Sequence, residues 1–394
     1  MSNAPLTTKP CLTSPQSSTS RYKLTVLALA IGMASPLAMA GATIEVGENS
    51  SISIGAGMRV GMVAVEDGSP DGDSYSTDFD VQSMRIYMSG QITDIIKFTF
   101  NTEEIFSDGP VDVLDAIAQF EFNPMFNLWL GRMLTPADRI EMNGPYYGLT
   151  WNQYTQPLYA SDQGGDAGTY GRDDGMTVWG AADKFQYAIG AFDGVEGFGN
   201  EEDNMLIAGR FAYNFLNMEA NPGYYTSSTY YGGLGNILTL GVSFQTQDGG
   251  VGSVVESGDF SGYAVDLLSE TVLGGGGVLT IEGEYKDFDS DFTPASGPLG
   301  GDCFCLFDGD SYFASAAFLF PGEVGIGKVQ PYVRFVENSP NDDDETDLTE
   351  VGVNYVIKGH NARLNANYNT GDANISGYPG ADVDTFSFGA QLQF

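Results

Sequence analysis

The segment that follows the first forty residues alternates strictly between apolar side chains and small or polar ones. The apolar positions are Ile52, Ile54, Ala56, Met58, Val60, Met62 and Ala64. Because successive side chains of a β-strand point to opposite faces, this period of two predicts a strand with one wholly apolar face. The chain ends on the same pattern, with Phe386, Phe388, Ala390, Leu392 and Phe394 on one face. Such strands are typical of a β-barrel whose apolar face meets lipid.

The same alternation recurs along the chain and predicts about sixteen strands, an even number, as in single-chain bacterial barrels. The chain has 25 Phe and 21 Tyr beside only 17% charged residues, a composition that suits strands with aromatic girdles. We therefore predict an all-β protein, a closed antiparallel transmembrane β-barrel. The predicted strands are residues 52–64, 81–92, 95–103, 113–122, 126–133, 175–182, 185–193, 204–213, 236–246, 260–268, 277–286, 311–319, 328–336, 348–357, 362–369 and 386–394.

The first forty residues have the three regions of a secretory signal peptide. Two basic residues precede an apolar run that starts at Leu24, and the small residues Ala-Met-Ala end at Ala40. The run has about fourteen apolar residues, fewer than the roughly twenty that a spanning helix needs. We predict cleavage after Ala40, so that residues 1–40 are removed and residues 41–394 form the barrel.

The connections between the predicted strands alternate in length. Long acidic connections follow the odd-numbered strands, and short turns such as residues 183–184 follow most even-numbered ones. Since long loops of bacterial barrels face outward and short turns face the periplasm, this asymmetry orients the barrel. Residues 66–80 and 341–347 then lie outside, where we expect their carboxylates to bind calcium or magnesium ions diffusely beside lipopolysaccharide. Residues 214–235 are the exception, because they are too many for an ordinary turn.

The longest connection, residues 134–174, lies between the fifth and sixth predicted strands. A loop of this length is normally functional or disordered, and its aromatic content argues against disorder. We predict that it folds into the barrel and narrows the pore, with a cap outside the barrel as the alternative. Its aromatic rings would also offer a solute a surface on which to stack. Its candidate residues are Asp138, Arg139, Glu141, Tyr146, Tyr147, Trp151 and Arg172.

Strand parity places six basic side chains on the inward side of the barrel, since each would cost roughly 2–4 kcal/mol at the lipid midplane. They are Arg59, Arg85, Lys97, Arg210, Arg334 and Arg363. Arg363 lies on the fifteenth predicted strand, Arg59 on the first, Arg85 on the second and Lys97 on the third. Closure of the barrel brings these strands together, so that the four residues would form one basic wall.

Two interpretations of this charge stay open. Asp138 and Glu141 facing the basic wall would create a transverse field that favours small polar or zwitterionic solutes. Alternatively, the basic side chains pair with carboxylates of the lumen and only satisfy the barrel interior. The candidate lumen carboxylates are Asp115, Glu121, Glu282 and Glu284.

Several classes of function are excluded or disfavoured. The formal net charge of −36 excludes a basic nucleic-acid-binding surface. The single histidine, His360, falls in a predicted periplasmic turn with no nucleophile evident nearby, so no Ser-His-acid hydrolase is predicted. Cys303 and Cys305 are interpreted as an inert or disulfide-bonded loop pair, because two thiols without neighbouring histidines hold a metal poorly. No catalytic residue, resident metal or other cofactor is predicted.

Four stretches of the chain resemble the phosphate-selective porin O and P family. The resemblance implies a trimeric channel in the outer membrane of a Gram-negative cell, with an internal constriction loop. The family's basic ladder cannot be mapped onto the thirteen lysines and arginines that follow the leader, so phosphate selectivity is not carried over. The Asn-Pro-Gly-Tyr-Tyr segment is the most specific stretch, and it also accounts for the long turn. The four stretches are residues 81–100, 115–136, 221–232 and 329–335.

These features together predict a porin that lets ions and small hydrophilic solutes diffuse passively across the outer membrane. Its expected partners are outer-membrane lipid, lipopolysaccharide and two further copies of the chain. The alternative is a structural or adhesive surface protein that the barrel only anchors, with acidic cation-binding loops. Conductance separates the two, because a barrel plugged by its own loop would pass little current.

Overall fold

A computed structural model describes residues 41–104, 110–159, 171–197, 200–253, 256–291 and 305–394. The predicted signal peptide, residues 1–40, lies outside these ranges, as does Cys303, whereas Cys305 is disulfide-bonded. Within the described ranges no helix is long and apolar enough to cross a membrane. The elements are β1 (Ala42–Gly47), β2 (Ser50–Val65), β3 (Asp78–Gln91), β4 (Ile96–Glu104), β5 (Val111–Asn123), β6 (Phe126–Leu134), α1 (Arg139–Tyr147), β7 (Arg172–Ala182), β8 (Phe185–Phe192), β9 (Leu206–Asn214), β10 (Ile237–Gly252), β11 (Ser257–Val272), β12 (Val278–Ser290), β13 (Gly309–Leu319), β14 (Glu323–Val324), β15 (Gly327–Pro340), β16 (Thr346–Lys358), β17 (Ala362–Gly371) and β18 (Thr385–Gln393).

Sixteen of these strands form a closed antiparallel barrel. Each pairs with the next in chain order, and β18 pairs with β2, with Phe388 opposite Met62 and Leu392 opposite Met58. Closure pairs each of the sixteen strands on both sides, which a barrel in lipid requires because lipid supplies no hydrogen bonds. The predicted closed all-β barrel of sixteen strands is confirmed. The sequence analysis missed β1, which folds back on β2, and β14, a two-residue strand that pairs with β15.

The two faces of the barrel differ as the alternation predicts. On β12 the side chains of Thr280, Glu282 and Lys286 point inward and are buried, whereas Ile281 and Tyr285 point outward and are exposed. The outward residues of the other strands are likewise mainly apolar or aromatic. An apolar outer face around a polar interior is the arrangement of a transmembrane barrel.

The connections alternate in length as predicted. β7 and β8 are joined by a two-residue turn, in which Asp183 has a positive φ of 55°, a conformation that Asp tolerates better than most residues. Long connections follow the next strand on the opposite end of the barrel. The segment between β9 and β10, residues 215–236, is the long exception that the sequence predicts, and it determines much of the interior.

We expect an outward valine of β16 to show that this face meets lipid. Val353 is 42% exposed near the middle of its strand. Val353→Arg should lower the free energy of unfolding in phospholipid vesicles by about 2–4 kcal/mol, because it places a charge in lipid. Val353→Leu, an apolar substitution at the same position, should stay within about 0.5 kcal/mol of the parent. Equal effects in urea titrations would contradict a lipid-facing position.

Candidate functional site

The long loop between β6 and β7 turns into the barrel directly after β6. Asp138 caps helix α1 by accepting a hydrogen bond from the backbone N–H of Glu141 (3.0 Å). Gly144 has a positive φ of 61° and Pro145 follows it, so the helix kinks there. Almost every residue from 133 to 151 is buried. The described part of the loop, which we call the constriction loop, therefore lies inside the barrel as predicted, and the alternative of an outside cap is wrong.

Three of the predicted lumen arginines hold the constriction loop by its backbone. Arg363 donates to the carbonyl of Gly148 (2.7 Å), and Arg59 donates to that of Trp151 (2.8 Å). Arg334 donates to the carbonyl two residues farther along the loop (3.1 Å). The Arg59 guanidinium also lies 4.0 Å from the centroid of the Trp151 ring. Buried carbonyls of irregular chain need such donors, because no helix or sheet satisfies them.

The other two members of the predicted basic wall pair with carboxylates of adjacent strands. Arg85 forms a two-point pair with Glu103 (2.8 and 2.9 Å), and both side chains are buried. Lys97 lies 2.5 Å from Glu121, and this pair is partly exposed. The four strands do bring their basic residues to one side of the lumen, but each side chain there is engaged by the protein. The pairing interpretation therefore describes these residues better than a free basic wall.

Lys286 of β12 is the partner of the two acidic candidates in the constriction loop, and the sequence analysis missed it. Its ammonium lies 2.7 Å from the carboxylate of Asp138 and 2.5 Å from that of Glu141, with Glu284 at 3.7 Å. Burial raises the pKa of Asp138, and the charge of Lys286 opposes this shift. Asp138 and Glu141 thus contact β12 and do not face the predicted basic wall. The alternation of β12 was the available signal, since it puts Lys286 on the same inward face as Glu284.

Residues 215–236, which we call the turn insert, fold into the lumen from the other end of the barrel. Thr226 donates from its hydroxyl to the carbonyl of Arg139 (2.7 Å), and Tyr224 donates to that of Leu134 (2.5 Å). The insert and the constriction loop therefore meet inside the barrel. The sequence predicts only that this turn is unusually long, because its length says nothing about its direction.

Glycine is required where the turn insert passes β6. Gly223 has a φ of +60°, and a Cβ atom there would lie 2.2 Å from the Trp129 ring. The next two residues of the Asn-Pro-Gly-Tyr-Tyr segment pack on the same ring, with centroid distances of 5.4 Å for Tyr224 and 5.8 Å for Tyr225. This segment therefore fixes the insert against the inner wall.

A chain of hydrogen bonds links helix α1 through the turn insert to β12. Asn143 donates to the hydroxyl of Ser228 (2.5 Å), which donates to the carboxylate of Glu282 (2.6 Å). The backbone N–H of Ser228 donates to the carbonyl of Tyr147 (3.1 Å). Glu282, a predicted lumen carboxylate, is thus engaged by the insert.

A buried group of charges joins the two inserted segments to the barrel. Arg139 forms a two-point pair with Glu219 of the turn insert (2.7 and 2.8 Å) and lies 3.2 Å from Asp266 of β11. It also donates to the carbonyl of Ser227 (2.9 Å). Arg210 of β9 donates to both oxygens of Asp266. We call Arg139, Glu219, Asp266 and Arg210 the Arg139 network, in which two positive and two negative charges balance.

His360, in the turn between β16 and β17, is buried against the turn insert. Its Nε2 lies 2.8 Å from the carbonyl oxygen of Thr229, and its ring packs against Tyr147 and Tyr231. Burial lowers its pKa to about 3, so the ring is neutral. The prediction that no nucleophile lies nearby was wrong, because the Ser227 hydroxyl is 3.3 Å from Nε2 although 133 residues separate them in sequence. That hydroxyl donates to the Thr229 carbonyl (2.9 Å), and His360 Nδ1 faces the Tyr231 hydroxyl instead of a carboxylate.

A cavity of about 380 Å³ remains between the turn insert, the constriction loop and the wall formed by β3–β7. Arg172 and Asp115 face it as an ion pair (3.3 Å), and the partly exposed pair of Lys97 and Glu121 also lines it. The cavity thus brings together six of the predicted site residues. They are Arg85, Lys97, Asp115, Glu121, Tyr147 and Arg172.

The three aromatic candidates of the constriction loop have different surroundings. Tyr146 is buried, with the Arg85 guanidinium 4.7 Å from its ring centroid. Trp151 is buried beside Arg59 and donates from its indole N–H to Gln82 (3.1 Å). Of the three, Tyr147 alone lines the cavity. The other aromatic residues that line the cavity are Tyr87, Trp129, Trp179 and Tyr225, from the barrel wall and the turn insert. The sequence analysis did not name them as contacts for a solute.

No protein-family model and no curated protein matches the chain. Solved structures do match it. OmpF of Salmonella typhi, in complex with daunomycin, is 11% identical with a TM-score of 0.59, over 90% of this chain and 100% of that chain. The trimer form of OmpT, an outer membrane protein of Vibrio cholerae, is 15% identical with a TM-score of 0.56, over 88% and 100%.

The chain has a porin-like fold. A third solved structure, described as a porin refined at 1.8 Å, is 13% identical with a TM-score of 0.50, over 87% of this chain and 100% of that chain. At these identities the similarity concerns the barrel architecture. The porin-like barrel encloses the two inserted segments described above.

We expect the Arg139 network to hold both inserted segments. Arg139→Gln leaves Glu219 buried without its charged partner and should lower the free energy of unfolding by about 3–5 kcal/mol. Arg132→Gln is the matched control, because its pair with Asp174 (2.9 Å) is partly exposed and should contribute about 0–1 kcal/mol. Urea titrations of both variants in the same micelles make the comparison. Equal losses would show that the network does not stabilise the fold.

The buried His360 should make stability depend on pH. The folded-state pKa is about 3 and the unfolded value about 6.5, so protonation favours the unfolded chain as the pH falls below about 6.5. This loss of stability should be absent above pH 7, and at pH 5 it should lower the free energy of unfolding by about 2 kcal/mol. His360→Gln has no titrating ring, so the difference in unfolding free energy between the parent and this variant should change by that amount. A constant difference between pH 5 and pH 8 would contradict a buried, neutral histidine.

Proposed function

We propose that this protein is a porin of the Gram-negative outer membrane, through which ions and small hydrophilic solutes diffuse passively. The observation that carries the proposal is a closed barrel with an apolar outer face, a polar inner face and a remaining internal cavity. Lipid requires the first face and a water-filled route requires the second. The porin-like fold supports the same function.

The proposed route passes along the wall of β3–β7, where a cavity remains between that wall, the constriction loop and the turn insert. Its charged side chains are paired, Lys97 with Glu121 and Arg172 with Asp115, so the wall carries no large excess of either sign. The acidic outer loops would concentrate cations at the mouth, an effect that weakens as salt rises. We therefore propose a weak cation preference and a low size limit.

We also propose that the barrel assembles as a homotrimer surrounded by outer-membrane lipid and lipopolysaccharide. The trimer form of OmpT supports this assembly. The acidic segments 66–80 and 341–347 would hold calcium or magnesium ions diffusely at the outer surface. Descent from the porin O and P family stays a prediction that rests on the four stretches of sequence.

The second candidate is a barrel that only anchors a structural or adhesive surface protein. The observation that favours it is the amount of chain inside the lumen, where residues of both inserted segments are fully buried. A lumen filled in this way would pass little current. The remaining cavity and its polar wall favour the porin.

Single-channel recording distinguishes these candidates. The refolded mature protein should give stable ohmic steps in planar bilayers, with a reversal potential under a salt gradient that indicates a weak cation preference at low salt. This preference should shrink as salt approaches 1 M, where the screening length is about 3 Å. Folded barrels that give no current would contradict the porin and favour the anchor.

A variant with a shortened turn insert measures how much this segment narrows the proposed pore. The backbone N–H of Asn217 donates to the carbonyl of Asn236 (3.0 Å), so the ends of the insert are adjacent and an Asn-Gly turn can replace residues 218–235. The variant should conduct severalfold more than the parent. Replacing the exposed residues 67–76 by the same turn is the control, and its conductance should equal that of the parent. Equal conductance of all three proteins would place the narrowest point elsewhere.

A further inference from the structure

Three of the side chains that line the cavity carry a polar atom that has no hydrogen-bond partner among the described residues. These atoms are the indole nitrogens of Trp129 and Trp179 and the side-chain oxygen of Asn101, and all three are buried. A buried polar atom left without a partner costs about 1–3 kcal/mol, so such atoms usually bind water or a ligand. Two donors and one acceptor of this kind therefore belong to side chains around the same space, and small rotations of these side chains would let a solute reach them.

Aromatic rings form one side of that space. Trp129 contacts Trp179 edge-on (5.3 Å between centroids) and also contacts Tyr225 edge-on (5.8 Å). Trp179 and Tyr225 are only partly buried. Pro222 and Gly223 of the turn insert complete this side of the cavity. Partly exposed rings beside polar groups offer a solute both an apolar face and hydrogen bonds.

The charged side chains at the cavity are already neutralised. Arg172 pairs with Asp115, which also accepts a hydrogen bond from the Tyr225 hydroxyl (3.3 Å). Lys97 pairs with Glu121. An anion would have to break such pairs to gain a charge, whereas a hydroxyl group can donate to a carboxylate and accept from an indole N–H without disturbing either pair.

We propose that the cavity is a binding site for a neutral polyhydroxylated solute, such as a mono- or disaccharide, between the turn insert and the wall of β4–β7. The volume of about 380 Å³ lies in the range of about 300–1,000 Å³ that is usual for small-molecule sites. The Trp129 and Trp179 indoles donate to solute hydroxyls, Asn101 accepts from one, and Tyr225 packs against the sugar ring. This inference rests on the proposed diffusion route, because a solute has to reach the cavity.

Tryptophan fluorescence tests the site directly, because the chain has only three tryptophans and two of them line the cavity. Trp151→Phe keeps the two cavity tryptophans, and the double variant Trp129→Phe/Trp179→Phe keeps only the one in the constriction loop. Maltose should change the emission of the folded Trp151→Phe protein saturably in the millimolar range. It should leave the double variant unchanged. Sodium phosphate at matched ionic strength should leave both unchanged.

Hydrogen bonding to the indole is tested by Trp179→Phe in the Trp151→Phe background, which keeps an aromatic ring and removes the N–H. The loss of one hydrogen bond should raise the dissociation constant for maltose about three- to tenfold. Asn101→Ala should raise it similarly and leaves every tryptophan in place, so it also serves if the tryptophan variants fold poorly.

Three results would overturn the proposal. They are no emission change with maltose in the folded Trp151→Phe protein, an equal change in the double variant, and a response to phosphate alone. The assay detects binding without conduction. A maltose response from a protein that gives no current in bilayers would therefore contradict the porin function and support the binding site. Current without a maltose response would support the porin function and contradict the binding site.

Discussion

The interior of this barrel depends on the hydrogen-bonding needs of irregular chain that is removed from water. The constriction loop exposes carbonyls that no sheet or long helix satisfies, and it crosses a space walled by strands. Arg59, Arg334 and Arg363 supply the donors, each from a different strand. Arginine suits this role because its planar group carries five donors and stays charged. The charges that a diffusion channel could present to solutes are thus largely used to hold its own loop.

The same requirement explains why the interior charges balance although the chain as a whole is strongly acidic. A buried carboxylate without a partner is costly, so Glu219, Asp266 and Glu103 each contact an arginine. Surface carboxylates have no such need, since water solvates them. The excess of negative charge can therefore reside in the outer connections, where it affects ions before they enter.

Local pattern predicted the barrel well because strand parity is a local property. The alternation in β2 and β18 was enough to place their apolar faces, and it put Arg363 and Arg59 inside before any partner was known. It could not identify those partners, because 215 residues separate Arg363 from Gly148 and 92 separate Arg59 from Trp151. The inward fold of the turn insert escaped prediction for the same reason. Its contacts with the constriction loop join segments about eighty to ninety residues apart, which no short-range period records.

The pairing of β18 with β2 has a consequence for the order in which the molecule forms. The constriction loop lies in the first half of the chain, yet its anchors stand on β2, β15, β16 and β17, which belong to the beginning and the end. The loop can acquire its full set of partners only when the last strands have arrived. Closing the ring across such a long stretch carries the largest loop-closure entropy in the fold. The pairing of β18 with β2 therefore closes the barrel and completes the contacts of the constriction loop in the same step. Barrel closure and the narrowing of the lumen are thus one cooperative event.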